Sequence, residues 1–138
     1  MIVVADHTGQ QQRFLSILGN PYLALYEIGS MTKSDLLEDI LSNYTRHDWQ
    51  LRRLLLTAQT INEVDNTQLS LAPVSEASFD ALWFSRPSRG DREAWELRLL
   101  AATPYALFEN FEPDETEEQR EEMRQEMEAR LRDHLQIS

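Results

Sequence analysis

From Phe79 to Leu100 the chain reads FDALWFSRPSRGDREAWELRLL, two runs of strand-forming residues broken by Pro87, Ser88, Arg89, Gly90 and Asp91. Proline fixes φ and glycine tolerates positive φ, so the break is a turn near Ser88 to Gly90 and the runs are the arms of a long β-hairpin. A turn centred there pairs Trp83 with Trp95, Ala81 with Leu97 and Phe79 with Leu99 on one apolar face. The other face, pairing Asp80 with Arg98, Leu82 with Glu96 and Phe84 with Ala94, is mixed, suited to solvent or to a covering helix. A lone hairpin is marginal in water, so this one demands further strands or a helix against it.

Two helices are the next firmest elements. Between Lys33 and Tyr44 the apolar residues Leu36, Leu37, Ile40, Leu41 and Tyr44 recur at helical spacing, behind a capping box of Thr32 and Asp35. From Thr116 to Leu135 the chain has no Gly or Pro, a second capping box in Thr116 and Gln119, and acids early with arginines late, which complements the helix dipole. Its apolar stripe, Met123, Met127, Leu131 and Leu135, is narrow. Such a stripe fits either a groove of its own domain or a partner helix.

The remaining segments speak less distinctly. Trp49 to Thr57, WQLRRLLLT, suits a strand or a helix; an echo of it at Trp95, WELRLLAAT, favours strand and raises the idea of an internal duplication. Ala58 to Asn66 reads as a connection, and Thr67 to Val74 as a strand limited by Pro73. Thr103-Pro104 has the form of a cap followed by proline at a first helical position, which predicts a short helix over Tyr105 to Phe111. Residues 1–30 are an N-terminal extension ahead of an initiator at Met31, or additional short strands with a helix over Gln10 to Leu18 and an apolar element over Tyr22 to Ile28. Residues 31–138 form a single α+β domain.

Charge and composition narrow the function classes. The net charge is −11, and from Glu112 onward ten acids stand against four arginines. That balance opposes general affinity for nucleic-acid phosphates or anionic lipid, making nucleic acid an unfavoured partner. No run approaches the roughly 18 apolar residues of a membrane span, and MIVVADHTGQ lacks a leader's basic start and apolar core, so the expected location is cytoplasmic. Without cysteine there are no disulfides, thiolate nucleophiles or cysteine metal sites.

Catalytic and cofactor patterns do not emerge. His7, His47 and His134 are dispersed and fit no metal-ligand spacing. His47 and Asp48 are adjacent, and adjacent side chains diverge on a helix or a strand, which opposes an acid–base pair. The carboxylates at Glu38-Asp39 and from Glu112 to Glu122 lack an EF-hand pattern and read as solvated faces. The Arg89-Gly90-Asp91 tripeptide is too short to carry adhesion chemistry. No cofactor is expected.

One local feature stands out against the acidic background: Arg86, Arg89 and Arg92 gather at the hairpin tip, as a basic finger for an acidic partner, a phosphate or the chain's own C-terminal helix. The sequence therefore predicts an α+β fold: an antiparallel sheet centred on the hairpin 79–100, packed by an amphipathic N-terminal helix and a long acidic C-terminal helix. A small acidic α+β protein with a helix at each end resembles, by architecture alone, secretion chaperones and related adaptor domains. The expected role is non-enzymatic protein binding, through the arginine finger or through Met123, Met127, Leu131 and Leu135, with a protein partner or as a homodimer. An acidic inhibitor imitating nucleic acid and an enzyme of unrecognised class are the alternatives.

Overall fold

The computed structural model describes the strand Ile2–Val3 and residues 31–137. The expectations for Gln10 to Leu18 and Tyr22 to Ile28 lie outside the described residues. In chain order the elements are β1 (Ile2–Val3), α1 (Lys33–Arg46), β2 (Gln50–Leu56), α2 (Ala58–Glu63), α3 (Asn66–Leu69), β3 (Val74–Glu76), β4 (Ala81–Pro87), β5 (Glu93–Leu99), β6 (Ala106–Phe111) and α4 (Glu117–Ile137).

The fold is α+β around a mixed sheet of order β1-β6-β5-β4-β2-β3. It is not antiparallel throughout, because β3 runs parallel to β2. Parallel neighbours need a crossover of roughly a dozen residues or more. Two short helices supply it where the sequence predicts a connection and then a strand. Thr57 caps α2, its hydroxyl accepting from the Thr60 amide at 3.2 Å, and Asp65 with Gln68 forms a capping box on α3. Only Val74–Glu76 remains as strand.

β4 and β5 pair antiparallel with Trp83 opposite Leu97, Ala81 opposite Leu99 and Phe84 opposite Glu96. This register is shifted two residues from the predicted one, because the turn centres on Gly90: Gly90 and Asp91 both take positive φ, and the Ser88 amide donates to the Arg92 carbonyl at 2.8 Å. A two-residue shift preserves which face each side chain occupies. Tyr105 to Phe111 is likewise corrected, from helix to strand: Ala106–Phe111 pairs antiparallel with β5. A local cap-and-proline signal yields there to pairing along a free sheet edge, with Leu107 and Phe111 buried.

Helices cover both faces of the sheet. On one side Leu36, Leu37, Ile40 and Tyr44 of α1 join Leu54, Leu56, Leu82 and Phe84 in one core cluster. On the other, Met127 and Leu131 of α4 join Trp83, Leu97, Leu107 and Phe111 in a second. Each fully buried large apolar side chain contributes roughly 1.5–3 kcal/mol. The two tryptophans of the sequence echo fall in different clusters, Trp49 with α1 and Trp95 with α4, so its positions are not structurally equivalent.

Polar groups fix the layers in register. Thr32 and Asp35 form the capping box of α1, and its C-terminus closes with Asp48 in the left-handed region at φ 67. There the Trp49 amide donates to the Tyr44 carbonyl and the Asp48 amide to that of Thr45, both at 3.0 Å, the hydrogen-bond pattern of a Schellman motif. Lys33, the sole lysine, bridges to Asp80 at 3.2 Å and donates to the Leu100 carbonyl at 3.1 Å. Asp80 also accepts from the Thr57 amide at 2.8 Å and the Thr60 hydroxyl at 2.6 Å. Burial by itself would raise the Asp80 carboxyl, but Thr60, Thr57 and Lys33 outweigh it and hold the pKa below its ordinary value.

Candidate functional site

The hairpin tip divides its arginines between structure and solvent. Arg86 lies half-buried, donating to the His47 carbonyl at 2.7 Å and stacking 4.4 Å over the Trp49 ring, so it ties the hairpin to the end of α1. Arg92 pairs with Glu112 at 2.9 Å. Arg89 is exposed and has no ion pair among the described residues. Beside it opens a concavity of about 620 Å³ lined by Asp48, Arg86, Pro87, Ser88, Arg89, Ala94 and Phe108. Ala94 and Phe108 give it apolar lining, and the guanidiniums of Arg86 and Arg89 line it together with the carboxylate of Asp48.

The α4 stripe is used differently along its length. Met127 and Leu131 are buried against the sheet of their own domain, and Met123 is partly buried beside them. Leu135 stays 36 % exposed near the helix end. The middle of the stripe is thus covered by its own sheet, Met123 is partly open, and Leu135 is the most exposed of the four. His134, one turn on from Leu131, stacks on Tyr105 with ring centroids 3.8 Å apart, and burial raises the Tyr105 hydroxyl pKa.

Opposite the α1 side, a second cleft of about 250 Å³ is lined by Arg52, Arg53, Trp83, Glu93, Trp95, Glu117 and Arg124. It arises from a β-bulge. Leu51 pairs with Phe84 but Arg53 with Trp83, so β2 carries one residue more than β4 between these pairs. The extra residue turns consecutive arginines onto one face. Arg52 lies 5.6 Å over Trp95, while buried Arg124 lies 4.5 Å over the same ring and is held by Glu117 and, at 3.0 Å, by Glu121. The Trp95 indole donates to Glu93 at 2.6 Å, and Glu93 accepts also from Arg120 at 3.2 Å. Sequence reading missed this cleft, since adjacent residues of a regular strand point to opposite faces.

His47, Tyr44, Glu96 and Arg98 make their contacts within the fold. His47 Nδ1 lies 2.9 Å from the Asn43 carbonyl, which requires that nitrogen to carry the proton, so the imidazole closes the end of α1. The Tyr44 hydroxyl donates to buried Glu96, and neighbouring Arg98 is buried too. Burial lowers the Arg98 pKa, with Tyr44 and Glu96 opposing the shift. Among the described residues no group of three or more His, Asp or Glu side chains converges to hold a metal ion, and no helix is long and apolar enough to cross a membrane. Comparison with protein-family models, with curated proteins and with solved structures finds no match to this chain.

Proposed function

We propose that this protein is a non-enzymatic binding module, an adaptor, that grips an acidic segment of a partner protein at the hairpin tip. The observation that carries the reading is the concavity beside Arg89: apolar lining from Ala94 and Phe108 next to an exposed guanidinium with no ion pair among the described residues, two guanidiniums in the lining against the one carboxylate of Asp48. Apolar lining supplies affinity, while guanidiniums beside it supply orientation and association rate. Arg86 and Arg92, engaged by His47, Trp49 and Glu112, hold the tip in place, leaving Arg89 to make the contact. Nucleic-acid mimicry draws less support, because Glu117 and Glu121 are engaged by Arg124, Glu112 by Arg92 and Glu126 by Arg130.

Site-specific cross-linking in the native host tests the reading. A photoreactive phenylalanine in place of Phe108, which leaves the Arg89 guanidinium intact, should give one dominant adduct with a different protein, identified by mass spectrometry, and Ser88→Trp, which fills the concavity it lines, should abolish it. Adducts confined to copies of the chain itself, or unaffected by Ser88→Trp, would refute the proposal.

A further inference from the structure

The bulged cleft holds arrangements that the fold does not require. Among the described residues neither Arg52 nor Arg53 has a carboxylate partner, although the protein carries a net charge of −11 and two glutamates line the same cleft. Those glutamates are committed elsewhere. Glu93 takes the Trp95 indole and Arg120, and Glu117 takes Arg124. Arg53 is half-buried, with part of its hydration already removed. Arg52 is exposed and lies over the Trp95 ring, over which the buried Arg124 also lies. A charge that is partly desolvated and unpaired is costly, and a bound anion would offset that cost.

We propose that Arg52 and Arg53, framed by Trp95 and Arg124, form a binding site for a phosphoryl group. The number of oxygens decides between the oxyanions. Two adjacent guanidiniums present two planar forks, and a carboxylate's two oxygens are taken up by one bidentate fork; a phosphoryl group offers three oxygens and up to two negative charges, enough to engage both. The cleft, at about 250 Å³, is below the usual size of a pocket for a drug-sized molecule, so it takes the phosphoryl group and its point of attachment and leaves the remainder of the ligand outside. The site stands apart from the hairpin tip, and the proposal does not depend on the adaptor reading. Its ligand could be a phosphorylated side chain or a free phosphate species, which share this chemistry.

The test is a set of NMR titrations of the intact chain, following the Arg52 and Arg53 Nε–H and Trp95 indole signals. The probes are inorganic phosphate, a neutral heptapeptide with one phosphoserine, and the same peptide with glutamate in its place. Both phosphate probes should give saturable shifts at those signals, with half-saturation at about 1 mM or below for the tighter one. The glutamate peptide should bind about tenfold more weakly, as should the tighter phosphate probe on the double variant Arg52→Gln/Arg53→Gln. That variant should retain the fold, read from its amide spectrum, and Arg130→Gln/Arg132→Gln should bind as the parent does. Tighter binding of the phosphopeptide assigns a phosphorylated side chain; equal or tighter binding of inorganic phosphate assigns a free phosphate species. The proposal is overturned if neither phosphate probe saturates, if the glutamate peptide binds as tightly, or if the folded double variant keeps its affinity.

Discussion

Met127→Glu places a carboxyl in the cluster that joins α4 to the sheet. Met127 is 1 % exposed and Leu131 fully covered, among Trp83, Leu97, Leu107 and Phe111. Losing the buried methionine costs about 2 kcal/mol of transfer energy. Keeping the new carboxyl neutral at pH 7, with its pKa raised about three units, costs about 4 kcal/mol more. The sum, about 6 kcal/mol, is comparable to the roughly 5–15 kcal/mol that holds an ordinary domain together. Urea unfolding followed by tryptophan fluorescence reads it directly, since Trp83 and Trp95 both belong to the cluster against which α4 packs. The variant should unfold at far lower urea than the parent at pH 7. It should recover most of the 4 kcal/mol portion near pH 4, where the carboxyl protonates without penalty. An unchanged urea midpoint at pH 7, with only the solution mass by light scattering altered, would refute the reasoning and move the stripe from core to interface.

Asp80→Asn tests the hub of Lys33, Thr57 and Thr60. The native Asp80 pKa lies below its ordinary value, so its stabilisation is fully present above about pH 4 and is lost as pH falls through the native pKa. The substitution should therefore cost about 1–3 kcal/mol at neutral pH and progressively less in acid, measured by urea unfolding across pH; a pH-independent difference would refute the assignment. Asp48→Gly should raise the melting temperature by about 2–4 °C, because glycine takes the positive φ of the α1 C-terminus more readily than aspartate. A calorimetric scan with Asp48→Gly melting no higher than the parent would show that the aspartate side chain itself stabilises this turn.

Much of the fold was legible wherever local chemistry and tertiary packing agree. Thr32, Asp35 and the Leu36–Ile40 spacing mark α1, and the hairpin faces follow from alternation even with the turn centre displaced, because a two-residue slip leaves each side chain on its own face. Where the two disagree, the local signal loses. Thr103-Pro104 advertises a helix start, yet Ala106 to Phe111 gains a ladder against β5 and buries Leu107 and Phe111. At Thr67 to Val74 the alternation of Leu69 and Leu71 suggests a strand, and Asp65 and Asn66 suggest only a turn, yet Asp65 and Gln68 form a capping box that starts α3. At the tip, Arg86, Arg89 and Arg92 look equivalent in sequence, and only packing separates the two that serve as ties from the one that is open.

The bulge had a trace in the sequence that a strict reading of alternation hides. Leu54 and Leu56 face α1, so an unbroken strand would carry Arg52 to that same side, toward a core holding Tyr44 and Phe84. Arg98 is already buried on that side beside Glu96 and Tyr44, and a second guanidinium there would cost several kcal/mol more, so consecutive arginines followed by leucines favour a strand that departs from regular pairing. Between Leu51 and Arg53 it does. That cost explains why a bulge exists if residue 52 is charged, but not why it is charged: a leucine at 52 would satisfy the α1 side without a bulge, and glutamine would tolerate the bulge without a cation. The bulge itself thus does not demand the charges of Arg52 and Arg53, and comparing fold and phosphate affinity in Arg52→Gln/Arg53→Gln separates the geometric need for the bulge from the proposed use of its charge.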